Sequence, residues 1–297
     1  PHRPGDFDHA AIAEEVGQVA AQRGRGGRLG RAQVAIQDGR ARGLAMGVGR
    51  FGAESHAVFS LTMLDLDRIQ AITLDLDDTL WPVWPTIRRA EQVLVDWLAQ
   101  HAPQAATLAR DVEVHKAIRQ SVNARHAARA HDLSFLRCEA IRELLRQAGH
   151  DPALAEPAFE VFFAERQRVD LFDDALPALA FWSARYPVVA LSNGNADVHR
   201  VGLGAHFHAS VSARETGVAK PDARIFEAAA RAAGVPPEAV LHVGDDAHLD
   251  AVGALAVGMQ VAWLDREGQG WSQGDSRPHL EVRDLHALCR HWHDYPH

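Results

Sequence analysis

Short apolar runs that stop abruptly at polar residues recur along this chain from residue 72 onward. They constrain the fold more than any other feature. Ile72-Thr73-Leu74 ends in acids, Pro187-Val188-Val189-Ala190-Leu191 ends in Ser192-Asn193, and Val240-Leu241-His242-Val243 ends in Gly244-Asp245. Gln260-Val261-Ala262-Trp263 is a fourth run and Ala209-Ser210-Val211 a weaker fifth. Continuous apolar runs of this length suit strands buried on both faces. Helical segments separate them. The alternation predicts an α/β fold, a Rossmann-like doubly wound parallel sheet with helices on both faces.

One connection is far too long for a simple crossover. About a hundred residues separate the first two strands, where a crossover needs about a dozen. Most of that stretch reads as helix. Residues 86–100 place Ile87, Ala90, Leu94, Trp97 and Leu98 on one stripe. Residues 133–147 do the same with Leu136, Ala140, Ile141, Leu144 and Leu145, and 157–168 carry Phe159, Val161, Phe162 and Phe163. The expected organisation is an all-helical insert at 85–171 within a core made of 69–84 and 172–297. The insert is entered through Trp81-Pro82-Val83-Trp84-Pro85 and left near Asp170-Leu171-Phe172-Asp173-Asp174.

Residues 1–68 have a different character. The run Arg23-Gly24-Arg25-Gly26-Gly27-Arg28-Leu29-Gly30-Arg31 carries too few large apolar side chains to offset the entropy of ordering. A flexible low-complexity extension is expected there, with a short helix around 10–21. An Arg/Gly arm can touch RNA, but one short basic run in a chain of net charge −8 favours a solvated tail. Gly47-Val48-Gly49-Arg50-Phe51-Gly52 matches G-x-G-x-x-G, but neither a buried strand precedes it nor a helix follows, so it is read as a chance match. Two cysteines, Cys138 and Cys289, make no disulfide framework, and no apolar run is long enough to span a bilayer. The expected setting is cytoplasmic, without membrane, nucleic-acid or protein partners.

In open α/β sheets, ligands bind beyond the carboxyl ends of the strands, and this chain gathers its polar residues there. The first strand runs into Asp75-Leu76-Asp77-Asp78-Thr79. Two carboxylates one residue apart can face one pocket. Their repulsion is relieved by a hard cation, which prefers carboxylate oxygens. One acid can attack while the other donates a proton. The plainer reading is an acidic turn capping the next helix. Ser192-Asn193-Gly194-Asn195 offers a hydroxyl and free N–H groups to phosphate oxygens, or simply makes a turn. Lys220 stands before a helix expected to begin near Pro221. Gly244-Asp245-Asp246-Ala247-His248-Leu249-Asp250 reads as a metal corner or as acids complementing a helix dipole.

In this order, the four elements resemble the haloacid dehalogenase-like hydrolase superfamily: D-x-D-x-T after a strand, a strand ending in Ser or Thr, a lysine before Pro, and a strand ending in G-D-D. The resemblance covers roughly residues 69–290 and leaves the N-terminal extension outside. It implies that Asp75 is the nucleophile, that Asp77 is general acid and then base, and that Lys220 orients Asp75 and offsets phosphoryl charge. It implies substrate-binding roles for Thr79, Ser192 and Asn193, with Thr79 also supporting the turn. Mg2+ is implied at Asp75, Asp245 and the Asp77 backbone carbonyl, with Asp246 and Asp250 as outer or water-mediated partners. The insert corresponds to that superfamily's helical cap.

A halide leaving group needs no proton but an alkoxide does, so Asp77 points to phosphate esters of small metabolites. The runs Leu74–Leu80, Ser192-Asn193-Gly194-Asn195, Leu241–Asp246 and the stretch His131–Arg137 are similar to bacterial FMN phosphatases. That group also acts on 5-amino-6-(5-phospho-ribitylamino)uracil. Trp81 and Trp84 either stack on a flat ring or pack between cap and core. Lys116, the insert's only lysine, reads as a surface residue rather than a Schiff-base lysine. The alternatives are a 2-haloacid dehalogenase and a non-catalytic RNA-binding protein on a degenerate hydrolase core.

Overall fold

The computed structural model describes residues 63–295; the Arg/Gly run, the expected helix at 10–21 and the match at 47–52 lie outside them. The six strands are β1 (Ala71–Leu74), β2 (Val188–Ser192), β3 (Ala209–Ser212), β4 (Val240–Gly244), β5 (Gln260–Leu264) and β6 (Leu280–Val282). They form one sheet in the order β3-β2-β1-β4-β5-β6, with every neighbouring pair parallel. Every residue of β1, β2, β4 and β5 is buried, as their continuous apolar composition requires. The weak run at 209–211 is a genuine strand at one edge. The other edge, β6, was not anticipated. It has three residues, too few for a periodic signal, and is fixed by pairing with β5, Leu264 opposite Val282.

Successive strand residues point to opposite faces and split the core in two. On one face Ile72, Leu74, Val188, Ala190, Leu241 and Val243 pack against α6 (Ala175–Ser183) and α8 (Leu285–Cys289). On the other, Ala71, Val189, Leu191, Val240 and Val261 pack against Ile225, Phe226, Ala229 and Ala230 of α7 (Ala223–Ala233). Trp182 and Phe226, both at 0% exposure, each contribute roughly 1.5–3 kcal/mol by burial.

The long connection contains α1 (Val83–His101), α2 (Pro103–Arg110), α3 (Val112–Arg125), α4 (Leu133–Gln147) and α5 (Ala155–Arg166). They share a separate apolar cluster that includes Leu94, Leu98, Ala106, Ile118, Val122, Leu136, Ile141, Leu145 and Phe162. Helix α1 starts at Val83, earlier than the expected 86, because Asp78 Oδ1 accepts the Val83 N–H at 2.8 Å. Pro85 then falls in the first turn, where its missing N–H costs nothing. Asp111 and Asp132 cap α3 and α4. Likewise α7 starts at Ala223 rather than at Pro221, because Asp222 caps it. Among the described residues, no helix is long and apolar enough to cross a membrane.

Candidate active site

The strand order puts β1 between β2 and β4, so their three carboxyl ends open into one crevice. The β1 exit is shaped by a tight turn. Asp78 takes a left-handed φ of 58°, donates its N–H to Trp81 O at 2.7 Å, and leaves Asp77 bridged to Trp81. An Asp tolerates this conformation better than most residues. Asp75 is thereby buried at the sheet end, its N–H donating to Val243 O at 2.9 Å.

Lys220 is 3% exposed, and its Nζ donates to Asp75 Oδ1 at 2.5 Å and Asp250 Oδ1 at 2.6 Å. Asp250 sits in a π-helical turn, Ala247–Val252, directly over Gly244. A Cβ on Gly244 would lie 2.4 Å from the Asp250 Cγ, so only glycine admits this approach. Asp250 Oδ2 accepts the Asp246 N–H at 3.0 Å. His242, wholly buried in β4, lies with Nε2 3.2 Å from Asp250 Oδ1 and Nδ1 2.8 Å from Thr73 Oγ1. Burial pushes its pKa down. The neutral ring then donates Nε2–H to Asp250 and accepts the Thr73 hydroxyl proton.

Asp75, Asp245 and Asp250 offer carboxylate oxygens that all lie within 4.8 Å of one another. One ammonium cannot neutralise three carboxylates. Burial opposes the Lys220 ammonium, but Asp250 and Asp75 outweigh it and push its pKa up. Burial also opposes charge on Asp250, yet Lys220 and His242 hold its carboxyl below the usual range. Asp75 is left under-compensated: desolvation, with Asp250 nearby, raises it to about 8 despite Lys220. Desolvation and the neighbouring Asp75 carry Asp245 well above its ordinary value. Buried oxygens that resist ionisation without more positive charge are a donor set that fits a hard divalent cation.

Other expected residues are placed differently. Thr79, read as substrate-binding, is fully buried and donates its hydroxyl to Asp245 Oδ1 at 2.8 Å; it holds an acid and has no surface for substrate. Asn193, read as a phosphate ligand, spends its amide on the Lys220 backbone, accepting Lys220 N–H at 2.7 Å and donating to Lys220 O at 3.1 Å. Asp250, read as an outer partner, bonds Lys220 directly. Asp246 caps the π-helical turn, accepting from His248 N and Leu249 N, which is the plainer reading of that acid. Trp81 is fully buried and donates Nε1–H to Asp77 Oδ1 at 2.8 Å, so it packs rather than stacks on a ligand. Ser192 Oγ accepts Gly194 N–H at 2.9 Å and keeps its own proton to donate.

Two residues near the site were missed. His242 left a signal, a polar residue inside an otherwise apolar strand. Arg166, the last residue of α5, left none, because an arginine at the end of an amphipathic helix is unremarkable. Its Nη2 donates to Asp77 Oδ1 at 2.6 Å and Oδ2 at 2.7 Å. Asp77 is thus held by Arg166 from the end of α5 and by Trp81 from the turn after β1.

The arrangement offers a buried carboxylate, a second carboxylate two residues on, an ammonium and a cluster of carboxylate oxygens spaced to suit a cation. It can divide attack, proton transfer and charge stabilisation among separate groups. The 5-amino-6-(5-phospho-D-ribitylamino)uracil phosphatase YigB of Escherichia coli is 33% identical over 230 residues, covering 75% of this chain and 96% of its own. Phosphoserine phosphatase of Thermus thermophilus is 37% identical over 153 residues, 50% of this chain and 61% of its own. The crystal structure of a 2-haloacid dehalogenase from Pseudomonas syringae pv. tomato superposes with a TM-score of 0.71 at 36% identity, covering 75% of this chain and 97% of that one. The haloacid dehalogenase-like hydrolase profile matches residues 69–258, and the chain belongs to that family.

Proposed function

We propose that this hydrolase is a Mg2+-dependent phosphomonoesterase for small phosphorylated metabolites, and that it works through a phosphorylated Asp75. One observation carries the reading. A carboxylate, Asp77, stands two residues beyond the buried Asp75 and is held in place by two donors. Alkoxide departure needs a proton, whereas halide departure does not.

In the first step a carboxylate oxygen of Asp75 bonds to phosphorus as the bond to the leaving oxygen breaks. Asp77 delivers its proton to that oxygen. In the second step a water attacks the same phosphorus and passes its proton to Asp77. The bond to Asp75 breaks, restoring its carboxylate and releasing inorganic phosphate. Lys220 offsets the phosphoryl charge, while the Ser192 hydroxyl and nearby N–H groups hold its oxygens. Asp75, Asp245 and the Asp77 carbonyl would hold Mg2+, with Asp250 close by; when bound, the ion neutralises phosphoryl charge. Thr79 and Asn193 support this site indirectly, through Asp245 and through the Lys220 backbone.

In this reading, residues 69–84 and 172–297 form the catalytic core, and the insert at 85–171 is a cap that selects the leaving group. Half-buried Trp84 lines a cavity in the insert with Ile87, Arg88, Leu94, Arg137 and Ile141. Glu91 on the same wall pairs with Arg137, and none of Asp75, Asp77, Ser192 or Lys220 lines this cavity, so it carries no substrate assignment; the likeness to YigB supports a riboflavin-precursor phosphate or FMN. A cytoplasmic setting fits the two free thiols, Cys138 and Cys289.

A second reading, 2-haloacid hydrolysis, is favoured by the Pseudomonas structure. A metabolite panel separates them. The full chain with Mg2+ is expected to release phosphate from FMN, the ribitylaminouracil phosphate or p-nitrophenyl phosphate, with activity lost on adding EDTA and in Asp75→Asn. Chloride release from 2-chloropropionate without phosphatase activity would select the second reading.

A further inference from the structure

Arg166 is 1% exposed by side chain, yet among the described residues only its Nη2 finds hydrogen-bond partners, and both contacts are on Asp77. Its Nε and Nη1 are buried and have no hydrogen-bond partner among the described residues. An arginine kept for fold alone would spread its donors over several acceptors, since an unpaired buried donor is costly. Here the buried charge is committed to one carboxylate.

The next residue grips the neighbouring loop. Gln167 Oε1 accepts Asp197 N–H at 2.8 Å, and its Nε2 donates to Asn195 O at 3.4 Å. From the insert's α4, Ser134 Oγ accepts the Asn195 amide at 3.2 Å. Space at the junction is minimal. A Cβ on Gly194 would fall 2.5 Å from Asp77 Oδ2 and 3.6 Å from Arg166 Nη2. The end of α5 therefore docks on the loops after β1 and β2 at once, with Asp77 at the contact.

We infer that Arg166 is a positioning residue: the insert carries it to Asp77, so the proton-donating carboxylate is aimed at the leaving oxygen only while the insert is seated on the core. The inference rests on the phosphomonoesterase reading and adds a link between insert docking and proton transfer. Arg166 touches no reacting atom and acts through Asp77.

Leaving-group dependence tests this. Full-chain wild type, Arg166→Gln and Arg166→Met are compared with Mg2+ on two esters. One is p-nitrophenyl phosphate, whose anion leaves with little need of a proton. The other is the alkyl phosphate that the wild type turns over fastest in a metabolite panel. Loss of acid positioning predicts a drop in kcat on the order of 10²-fold on the alkyl ester and less than about 10-fold on the aryl ester. In an Asp77→Asn background, Arg166→Gln should cost less than about 3-fold more on the alkyl ester, because the group it positions has already lost its proton. Removing one partner of a buried pair is destabilising, so turnover of the aryl ester by each variant, which needs the fold but little acid catalysis, guards against misfolding. Equal losses on both esters, or a loss undiminished in the Asp77→Asn background, would overturn the inference. A wild type that cleaves neither ester would instead overturn the phosphomonoesterase reading beneath it.

Discussion

Replacing Lys220 by Met should destabilise the protein in a pH-dependent way. The Lys220 ammonium is the charge that lets Asp75 and Asp250 share a dry corner, with contacts of 2.5 and 2.6 Å. Met keeps the length and removes the charge. Taking one partner from a buried ion pair costs roughly 3–5 kcal/mol, because the remaining charge is left uncompensated. At about 2–4 °C per kcal/mol for a domain of this size, the melting temperature should fall by about 10 °C at pH 8 without metal. The sign of the pH effect follows from the carboxylates. Without Lys220, Asp75 loses its ammonium partner and Asp250 keeps only His242 and the Asp246 N–H, so both folded-state pKa values rise relative to wild type. Stability relative to wild type is then greatest where these groups are protonated and is lost as pH rises through their folded-state values. The deficit against wild type should therefore be smaller at pH 5 than at pH 8. Urea melts of both proteins in EDTA at the two pH values measure it. An unchanged midpoint at pH 8, or a deficit larger at pH 5, would refute the electrostatic reasoning.

Other perturbations probe separate parts of the site. Gly194→Ala places a methyl 2.5 Å from Asp77 Oδ2, so turnover of an alkyl phosphate should drop on the order of 10²-fold, read in a phosphate-release assay. Asn193→Ala removes two bonds to the Lys220 backbone and should cost about 2 kcal/mol in a urea melt, with a lower kcat because Lys220 loses its anchor. In the metal-free wild type, Asp75 is raised from 3.8 to about 8, so the folded state keeps a proton that the unfolded chain has released. Stability should then fall as pH rises between those values, Mg2+ should raise the melting temperature more at pH 8 than at pH 6, and calorimetry in two buffers of different ionisation enthalpy should show proton release on Mg2+ binding near pH 7.

The core was legible because buried parallel strands leave continuous apolar runs. The crevice was legible because those runs stop at polar residues. Asp75 and Asp245 come together as their strand-end positions imply, and Lys220 joins them from the loop before α7. What stayed hidden depends on partners far away in sequence. Asn193 looks like a phosphate ligand until its amide is seen to be filled by Lys220, 27 residues on. Thr79 looks available to substrate until Asp245 takes its hydroxyl. Trp81, flanked by Pro82 and Trp84, suggests a ring platform, but full burial and its bond to Asp77 assign it to packing. Arg166 lies 89 residues from Asp77, and no local pattern marks a helix-terminal arginine for a distant carboxylate.

The most direct test of the central claim, that Asp75 attacks phosphorus, is to identify what becomes bonded to it. Full-chain protein with Mg2+ is mixed with its best phosphomonoester, quenched in acid during turnover and mapped by peptide mass spectrometry, with a parallel sample given 2-chloropropionate. The account predicts a phosphoryl group on the peptide containing Asp75, absent in Asp75→Asn, and no adduct from the haloacid. A carbon ester on Asp75 from the haloacid, with no phosphoryl adduct from any ester, would contradict it.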